Sequence, residues 1–235
     1  MLNVSTSLKY PILNLVSTGK KSFENLGRTI KKCGNTISRL LSPASTSLQY
    51  AQYLCQSIFR DKKKLFCIID DTLIKKIHSQ WMQGAGMFYD GKVGKRIMAY
   101  RLVLCLISDG KLAMPIECAY LFSKELLDLI PRDESIVFQV ATYKALPRDH
   151  VKTYKARWVI EKMIRTSKQY LGLGECFAKK LQKQHDHTAS VLLTYSLVQL
   201  DMKKRRCKTP EEAIRRCKTK NANSLMRRFI DQLRF

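Results

Sequence analysis

Apolar residues recur at helical spacing through the first 60 residues, with lysine, serine and threonine between them. Side chains three or four residues apart share one face of a helix, so this pattern predicts short helices with basic faces. The apolar positions are Phe23, Leu26, Ile30, Ile37, Leu40 and Leu41, after which Pro43 interrupts the pattern. We therefore assign residues 1–60 to a basic helical N-terminal region.

The pattern changes at Leu65, where five consecutive apolar residues precede Asp70, Asp71 and Thr72. A short unbroken apolar run is typical of a strand that is buried inside a sheet. We expect this strand to end at the two aspartates, so that both carboxylates emerge at a site.

A hairpin is predicted next along the chain. Segments 97–108 and 112–118 have the composition of strands, and Asp109-Gly110 between them is a strong signal for a tight turn. Asp109 is therefore expected to be a turn residue.

The remainder of the chain is predicted to be mainly helical. The elements expected after the hairpin are a short helix over 124–130, a strand over 136–142, helices over 149–171, 175–184 and 189–202, and a last helix opened by Thr209-Pro210-Glu211-Glu212 as a capping box. This order favours an α/β fold with a small mixed sheet and a helical C-terminal half. Residues 61–202 would form the main domain and 203–235 a basic C-terminal helical tail.

The charge balance points to a polyanionic partner. Lys and Arg number 43 against 19 Asp and Glu, which gives a formal net charge of +24. Such an excess favours nucleic acid, although ribosomal proteins and membrane-surface binders share it. The last 35 residues contribute 12 basic against 4 acidic side chains, as expected of a segment that lies along phosphates or of a solvated helix.

The eight cysteines favour a cytoplasmic protein with reduced thiols, because they occur singly with no CxxC pair. Cys176, His185 and His187 do not make a convincing zinc site, which needs four ligands and usually a close cysteine pair. No apolar run approaches the roughly 20 residues that span a bilayer. The sequence therefore predicts a soluble protein with no membrane partner.

One predicted helix carries an unusual polar face. At 100° per residue, the side chains on this face are Tyr154, Arg157, Glu161, Arg165 and Lys168, within an arc of roughly 80°. Its apolar residues cluster on the opposite side, so the helix should pack by that side and present the polar one. One carboxylate among an aromatic ring and three cations can complete a cation site while its neighbours hold phosphates.

The spacing of these residues resembles the Y-R-E-K signature of a large group of bacterial insertion-sequence transposases of the DDE type. Two residues separate Tyr154 from Arg157, three separate Arg157 from Glu161, and six separate Glu161 from Lys168. The neighbouring words 154–161, 167–173 and Gln184-His185-Asp186-His187 are also similar to that group, as is the acidic Asp-Thr motif at residues 70–72.

The resemblance implies an RNase H-like domain that cleaves and rejoins DNA with Mg²⁺ or Mn²⁺. Asp71 and Glu161 would be the catalytic metal ligands, with Asp70 as the alternative to Asp71. Tyr154, Arg157, Arg165 and Lys168 would contact DNA, both transposon ends and target. Whether the chain forms a homodimer is left open.

The sequence departs from that family in lacking a clear second aspartate. Two-metal chemistry in the family uses three carboxylates, whereas no apolar strand ends in Asp between Asp71 and Glu161. The available aspartates are Asp109 in the turn, Asp128 in a helix, Asp133 in a loop and Asp149 at the start of the Glu161 helix. An internal deletion near residues 130–134 would explain the loss, leave the RNase H-like sheet incomplete and impair strand transfer.

Three functions remain open at this stage. The first is a DDE transposase with impaired strand cleavage and strand transfer, and the second is a non-catalytic DNA-binding remnant of one. The third is an RNA-binding or ribosome-associated protein, which would explain the charge but neither the spacing of the four signature residues nor the acidic strand.

Overall fold

The computed structural model describes residues 4–62, 65–77, 81–122 and 147–233, and it describes their side chains except at 4–6, 147–157 and 232–233. The helices are α1 (Val4–Val16), α2 (Phe23–Thr29), α3 (Gly34–Arg39), α4 (Ala44–Phe59), α5 (Pro147–Tyr170), α6 (Leu181–Arg205), α7 (Pro210–Lys218) and α8 (Ala222–Leu233). The strands are β1 (Phe66–Lys75), β2 (Gly86–Asp90), β3 (Lys95–Ser108) and β4 (Ala113–Leu121). The predicted α/β composition, with helices before and after the sheet, is confirmed. The expected helix 124–130, the strand 136–142 and the deletion point at 130–134 lie outside the described residues.

The long strand β3 is the centre of the sheet. β1 pairs along one edge of β3, while β2 and β4 pair one after the other along its other edge. All of these pairings are antiparallel, so the described strands contain no parallel pair of the kind that a mixed sheet needs. β2 was not predicted from the sequence.

The predicted hairpin is confirmed as β3 and β4. Gly110 adopts φ +87°, a conformation open to glycine, and Asp109 Oδ1 accepts the backbone N–H groups of Lys111 and Leu112 at 3.0 and 2.9 Å. Burial raises the pKa of Asp109, but these two hydrogen bonds and the ammonium of Lys62, 3.0 Å away, outweigh it and lower the pKa overall. Asp109 is therefore a turn residue, as expected.

Strand β1 is longer than predicted. The expectation that it ends at Asp70 and Asp71 is wrong, because β1 continues to Lys75 and both aspartates lie at its middle. Residues 72–74 keep pairing with residues 100–102 of β3, and Thr and Ile suit a pleated strand. The carboxylates consequently project from the two faces of a strand instead of from its end.

A continuous hydrophobic core joins the three predicted regions. The inward face of β3 buries Tyr100, Leu102, Leu104 and Leu106. This core extends through α4 and α6 from Leu8 near the N-terminus to residues of α7 and α8. The N-terminal helices and the C-terminal tail therefore pack on the main domain. Among the described helices none is both long and apolar enough to cross a membrane.

Predictions for the C-terminal helices are partly correct. The capping box is confirmed, since Thr209 Oγ1 accepts the N–H of Glu212 at 3.2 Å. The predicted helix 175–184 is wrong, because residues 171–180 form an irregular loop and α6 begins at Leu181. Gly172 and Gly174 have φ values of +74° and +102°, so they end the helical path after α5.

The loop after α5 is held by buried hydrogen bonds. Asn14 Nδ2 donates to the carbonyl oxygen of Leu171 at 2.8 Å, and His187 Nε2 donates to that of Gly172 at 3.0 Å. Because a carbonyl only accepts, His187 carries its proton on Nε2, and its Nδ1 accepts the hydroxyl of Tyr10 at 2.7 Å. Burial, the largest cause, lowers the pKa of His187 to about 4, so the ring is neutral near pH 7.

Acidification should destabilise the protein through His187. Between about pH 6.5 and pH 4 the unfolded chain binds a proton at this histidine that the folded protein does not, so the free energy of unfolding falls as the pH falls. This site contributes up to about 3 kcal/mol to that fall. Urea unfolding at pH 7 and at about pH 4.5 should show a smaller loss for His187→Gln than for the wild type. Equal losses would contradict the buried neutral histidine.

Candidate active site between strand β1 and helix α5

Helix α5 packs against β1 by the apolar face that the sequence predicts. Ile160 and Met163 are fully buried, and Ile164 is partly buried against the core. Trp158, Lys162 and Arg165 are exposed, while Glu161 and Lys168 are half-buried. The described part of the polar face therefore borders both the sheet and solvent.

Lys168 ties this helix to β1. Its ammonium donates to the hydroxyl of Thr72 at 2.8 Å and to the carbonyl oxygen of Leu73 at 2.9 Å. Burial lowers the pKa of Lys168, and the positive charges of Lys92 and Lys75 lower it further. Lys168, which the sequence assigned to DNA contact, thus has two intramolecular partners that fix α5 relative to β1.

Adjacent aspartates of β1 point to opposite faces of the sheet, because side chains alternate along a strand. Asp70 shares a face with Thr72, which contacts α5 through Lys168. Asp71 lies on the other face, where its Oδ2 accepts the Nε–H of Arg101 at 2.7 Å. Asp70, the alternative ligand, therefore lies on the face that meets α5, while Asp71 is paired with Arg101 on the other face.

A cavity of about 590 Å³ lies between β1 and α5 and brings the candidate residues together. The polar and charged residues that line it are Asp70, Asp71, Thr72, Lys92, Glu161, Lys162, Arg165, Lys168 and Gln169, with Trp158 and Ile164 completing the wall. Glu161 thus opens into the same space as the acidic part of β1, although 90 residues separate it from Asp71 in sequence. The carboxylates of Glu161 and of the two β1 aspartates therefore line one cavity.

The cavity includes residues that were not predicted from the sequence to belong to the site, among them Lys92, Trp158 and Lys162. Lys92 lies in the turn between β2 and β3. It was not predicted to belong to the site because the strand before this turn, β2, was not predicted. Trp158 and Lys162 flank Glu161 in sequence, and their position on α5 could have signalled their role. Trp158 is 54% exposed, which leaves an aromatic face beside a group of cations.

Tyr154 and Arg157 lie on the first half of α5, where the structure describes the helix but not the side chains. Their predicted contacts with DNA stay predictions. Arg165 and Lys168, in contrast, line the cavity with Glu161.

A third metal ligand is not evident in the described part of the chain. Its residues include no group of three or more His, Cys, Asp or Glu side chains arranged to hold a metal ion. Asp71 is engaged by Arg101, and Asp109 is engaged by Lys62 at the distant hairpin turn. Asp128, Asp133 and the side chain of Asp149 lie outside the described residues.

Replacing Lys168 should loosen the contact between α5 and β1. Lys168→Met keeps the aliphatic length but removes two charge-assisted hydrogen bonds, so it should lower the free energy of unfolding by about 1–3 kcal/mol. Lys162→Met, an exposed position on the same helix, should change it by less than about 0.5 kcal/mol. Urea unfolding of the two variants measures the difference, and equal stabilities would contradict the proposed anchoring role.

No family model matches the chain, and no curated protein and no solved structure is significantly similar to it. Its function is therefore inferred from its own residues: the carboxylates of Asp70, Asp71 and Glu161 line one cavity rimmed by cations, and Asp71 is paired with Arg101.

Proposed function

We propose that this chain is a DDE-type DNA transposase that binds DNA across the β1–α5 cavity, with strand cleavage and strand transfer severely reduced or absent. The observation that carries the proposal is the shared cavity of Asp70 and Glu161, rimmed by Lys92, Arg165 and Lys168. An acidic first strand, a hairpin and a later helix that bears a glutamate also follow one another in RNase H-like domains, which supports the family resemblance.

The donor set of the cavity suits a divalent cation such as Mg²⁺ or Mn²⁺. Such ions prefer oxygen ligands, and Asp70 and Glu161 offer two carboxylates from elements that Lys168 holds together. In this proposal Asp70 takes the place that the sequence assigned to Asp71, because Asp71, although it also borders the cavity, is engaged by Arg101. A bound ion would supply charge neutralisation at a phosphate and activation of the attacking oxygen.

The cations around the carboxylates suit a nucleic-acid backbone. Lys162 and Arg165 are exposed beside the cavity, and Lys92 faces them from the β2–β3 turn. Arginine and lysine bind phosphates through charge-assisted hydrogen bonds, and an exposed tryptophan such as Trp158 offers a surface for stacking. The chain therefore has the means to place a phosphodiester next to Asp70 and Glu161.

Two carboxylates do not suffice for a two-metal site, which is the reason for proposing weak or absent chemistry. A pair of ions about 4 Å apart needs a bridging set of at least three acidic ligands in this family. The second candidate function, a non-catalytic DNA-binding remnant, is favoured by the lack of a third ligand within the described residues. The two functions share the DNA-binding surface and differ only in cleavage.

DNA binding should depend on the cations of the cavity and on salt. The affinity of the wild type for a duplex oligonucleotide in EDTA should fall steeply between 50 and 200 mM salt, because phosphate contacts release counterions. Arg165→Glu should weaken binding about tenfold or more, since it replaces an attraction by a repulsion. Lys9→Glu, an exposed position on α1 that lines neither this cavity nor its rim, is the matched control. Salt-independent or undetectable binding would contradict DNA as the partner.

Cleavage separates the two candidate functions. Nicking of supercoiled plasmid in Mg²⁺ or Mn²⁺ should be weak, and any nicking should disappear in Asp70→Asn and in Glu161→Gln but persist in Asp71→Asn. Robust nicking that needs both Asp70 and Glu161 would contradict the proposed impairment and would require a third ligand. Nicking that survives both substitutions would come from a contaminant and would leave the DNA-binding remnant as the better function.

A further inference from the structure

A second cavity of about 320 Å³ lies beside the carboxylate cavity and shares two of its residues. Lys162 and Arg165 line both spaces, so α5 forms the ridge between them. The far wall comes from the β3–β4 turn, from α6 and from the start of α7. Anything that lies over the ridge of α5 can therefore enter both cavities.

Four cations from three separate parts of the chain surround this second cavity. Lys111 comes from the hairpin turn, Lys162 and Arg165 from α5, and Lys208 from the segment before α7. One carboxylate is also present: Glu211, whose Oε1 accepts the hydroxyl of Thr166 at 2.5 Å. Positive charge remains in excess after Glu211 is counted, so the cavity favours an anion.

Tyr195 gives the cavity a neutral donor in a buried position. The residue is only 2% exposed and lines the cavity from α6, and its hydroxyl has no hydrogen-bond partner within the described part of the chain. Burial raises the pKa of Tyr195, so the hydroxyl stays protonated and able to donate. Because Tyr195 lines the cavity, an anion bound there could accept a hydrogen bond from its hydroxyl.

We propose that this second cavity binds a backbone phosphate of the same DNA strand that crosses the carboxylate cavity, with Lys111, Lys208 and the Tyr195 hydroxyl as its contacts. The inference rests on the proposed function and adds the path that the DNA strand takes across the protein. The DNA passes from Asp70 and Glu161 over Lys162 and Arg165 towards the start of α7. Glu211 is held aside by Thr166, so it limits the site to one end of the cavity.

Tyr195→Phe tests this binding site directly, because it removes the hydroxyl and nothing else. The probe is a fluorescent duplex oligonucleotide in EDTA, so binding is measured without any cleavage. Tyr195→Phe should weaken binding about two- to tenfold, the usual effect of one hydrogen bond, and leave the melting temperature unchanged because no intramolecular partner is lost. Lys208→Ala should also weaken binding and lower the slope of log affinity against log salt by about 1.

The outcomes distinguish this inference from the proposed function. If the wild type binds DNA and Arg165→Glu weakens it, but Tyr195→Phe and Lys208→Ala bind as the wild type does, the second phosphate site is overturned while the proposed function stands. If the wild type does not bind DNA, both are overturned. A lower melting temperature for Tyr195→Phe with unchanged DNA affinity would assign the hydroxyl a structural role and would also overturn the site.

Discussion

The position of the candidate site depends on the contact of Lys168 with strand β1. Its ammonium donates hydrogen bonds to the hydroxyl of Thr72 and to the carbonyl oxygen of Leu73, and these bonds fix the position of α5 along the strand. Glu161 lies two helical turns earlier on the same face, about 10 Å along the axis, and Asp70 lies about 7 Å along β1 from Thr72. A shift of α5 by one turn would carry the glutamate away from the aspartate, so this lysine has a positioning role beyond any contact with DNA.

The elements outside the main domain support the same geometry. Asn14 and His187 hold the loop that ends α5, and Lys21 donates its backbone N–H to the carboxylate of Glu175 within that loop. Asp186 Oδ1 accepts the backbone N–H of Ala44 at 3.0 Å, so one of the N–H groups at the start of α4 that lack a partner within the helix is hydrogen-bonded. The N-terminal helices are thus part of the scaffold, and Gln184, Asp186 and His187 hydrogen-bond to other parts of the chain.

The sequence predicted those parts of the fold that depend on hydrogen bonds between residues close in sequence. Asp109-Gly110 specifies its turn and Thr209 its helix cap, because the required hydrogen bonds are formed within a few residues. The wheel of α5 likewise predicted which residues share a face. The helix expected over 175–184 failed because Gly172 and Gly174 adopt left-handed conformations that only the tertiary contacts of the loop reveal.

The choice between Asp70 and Asp71 could not be made from the sequence. A shift of one residue reverses the face to which every side chain of a strand points, and only the packing of α5 decides which face holds the site. The second cavity could not be predicted either, since its cations come from three segments that are distant in sequence. Charge composition indicated a polyanion but not where it lies.

The central claim is that Asp70 and Glu161 reach one common ion. Electron paramagnetic resonance can count bound Mn²⁺ per chain in the wild type and in Asp70→Asn, Glu161→Gln and Asp71→Asn. We expect one ion in the wild type, lost in both of the first two variants and retained in Asp71→Asn. If either Asp70→Asn or Glu161→Gln keeps that ion with unchanged affinity, or if Asp71→Asn alone loses it, the two side chains do not share a site and the account is contradicted.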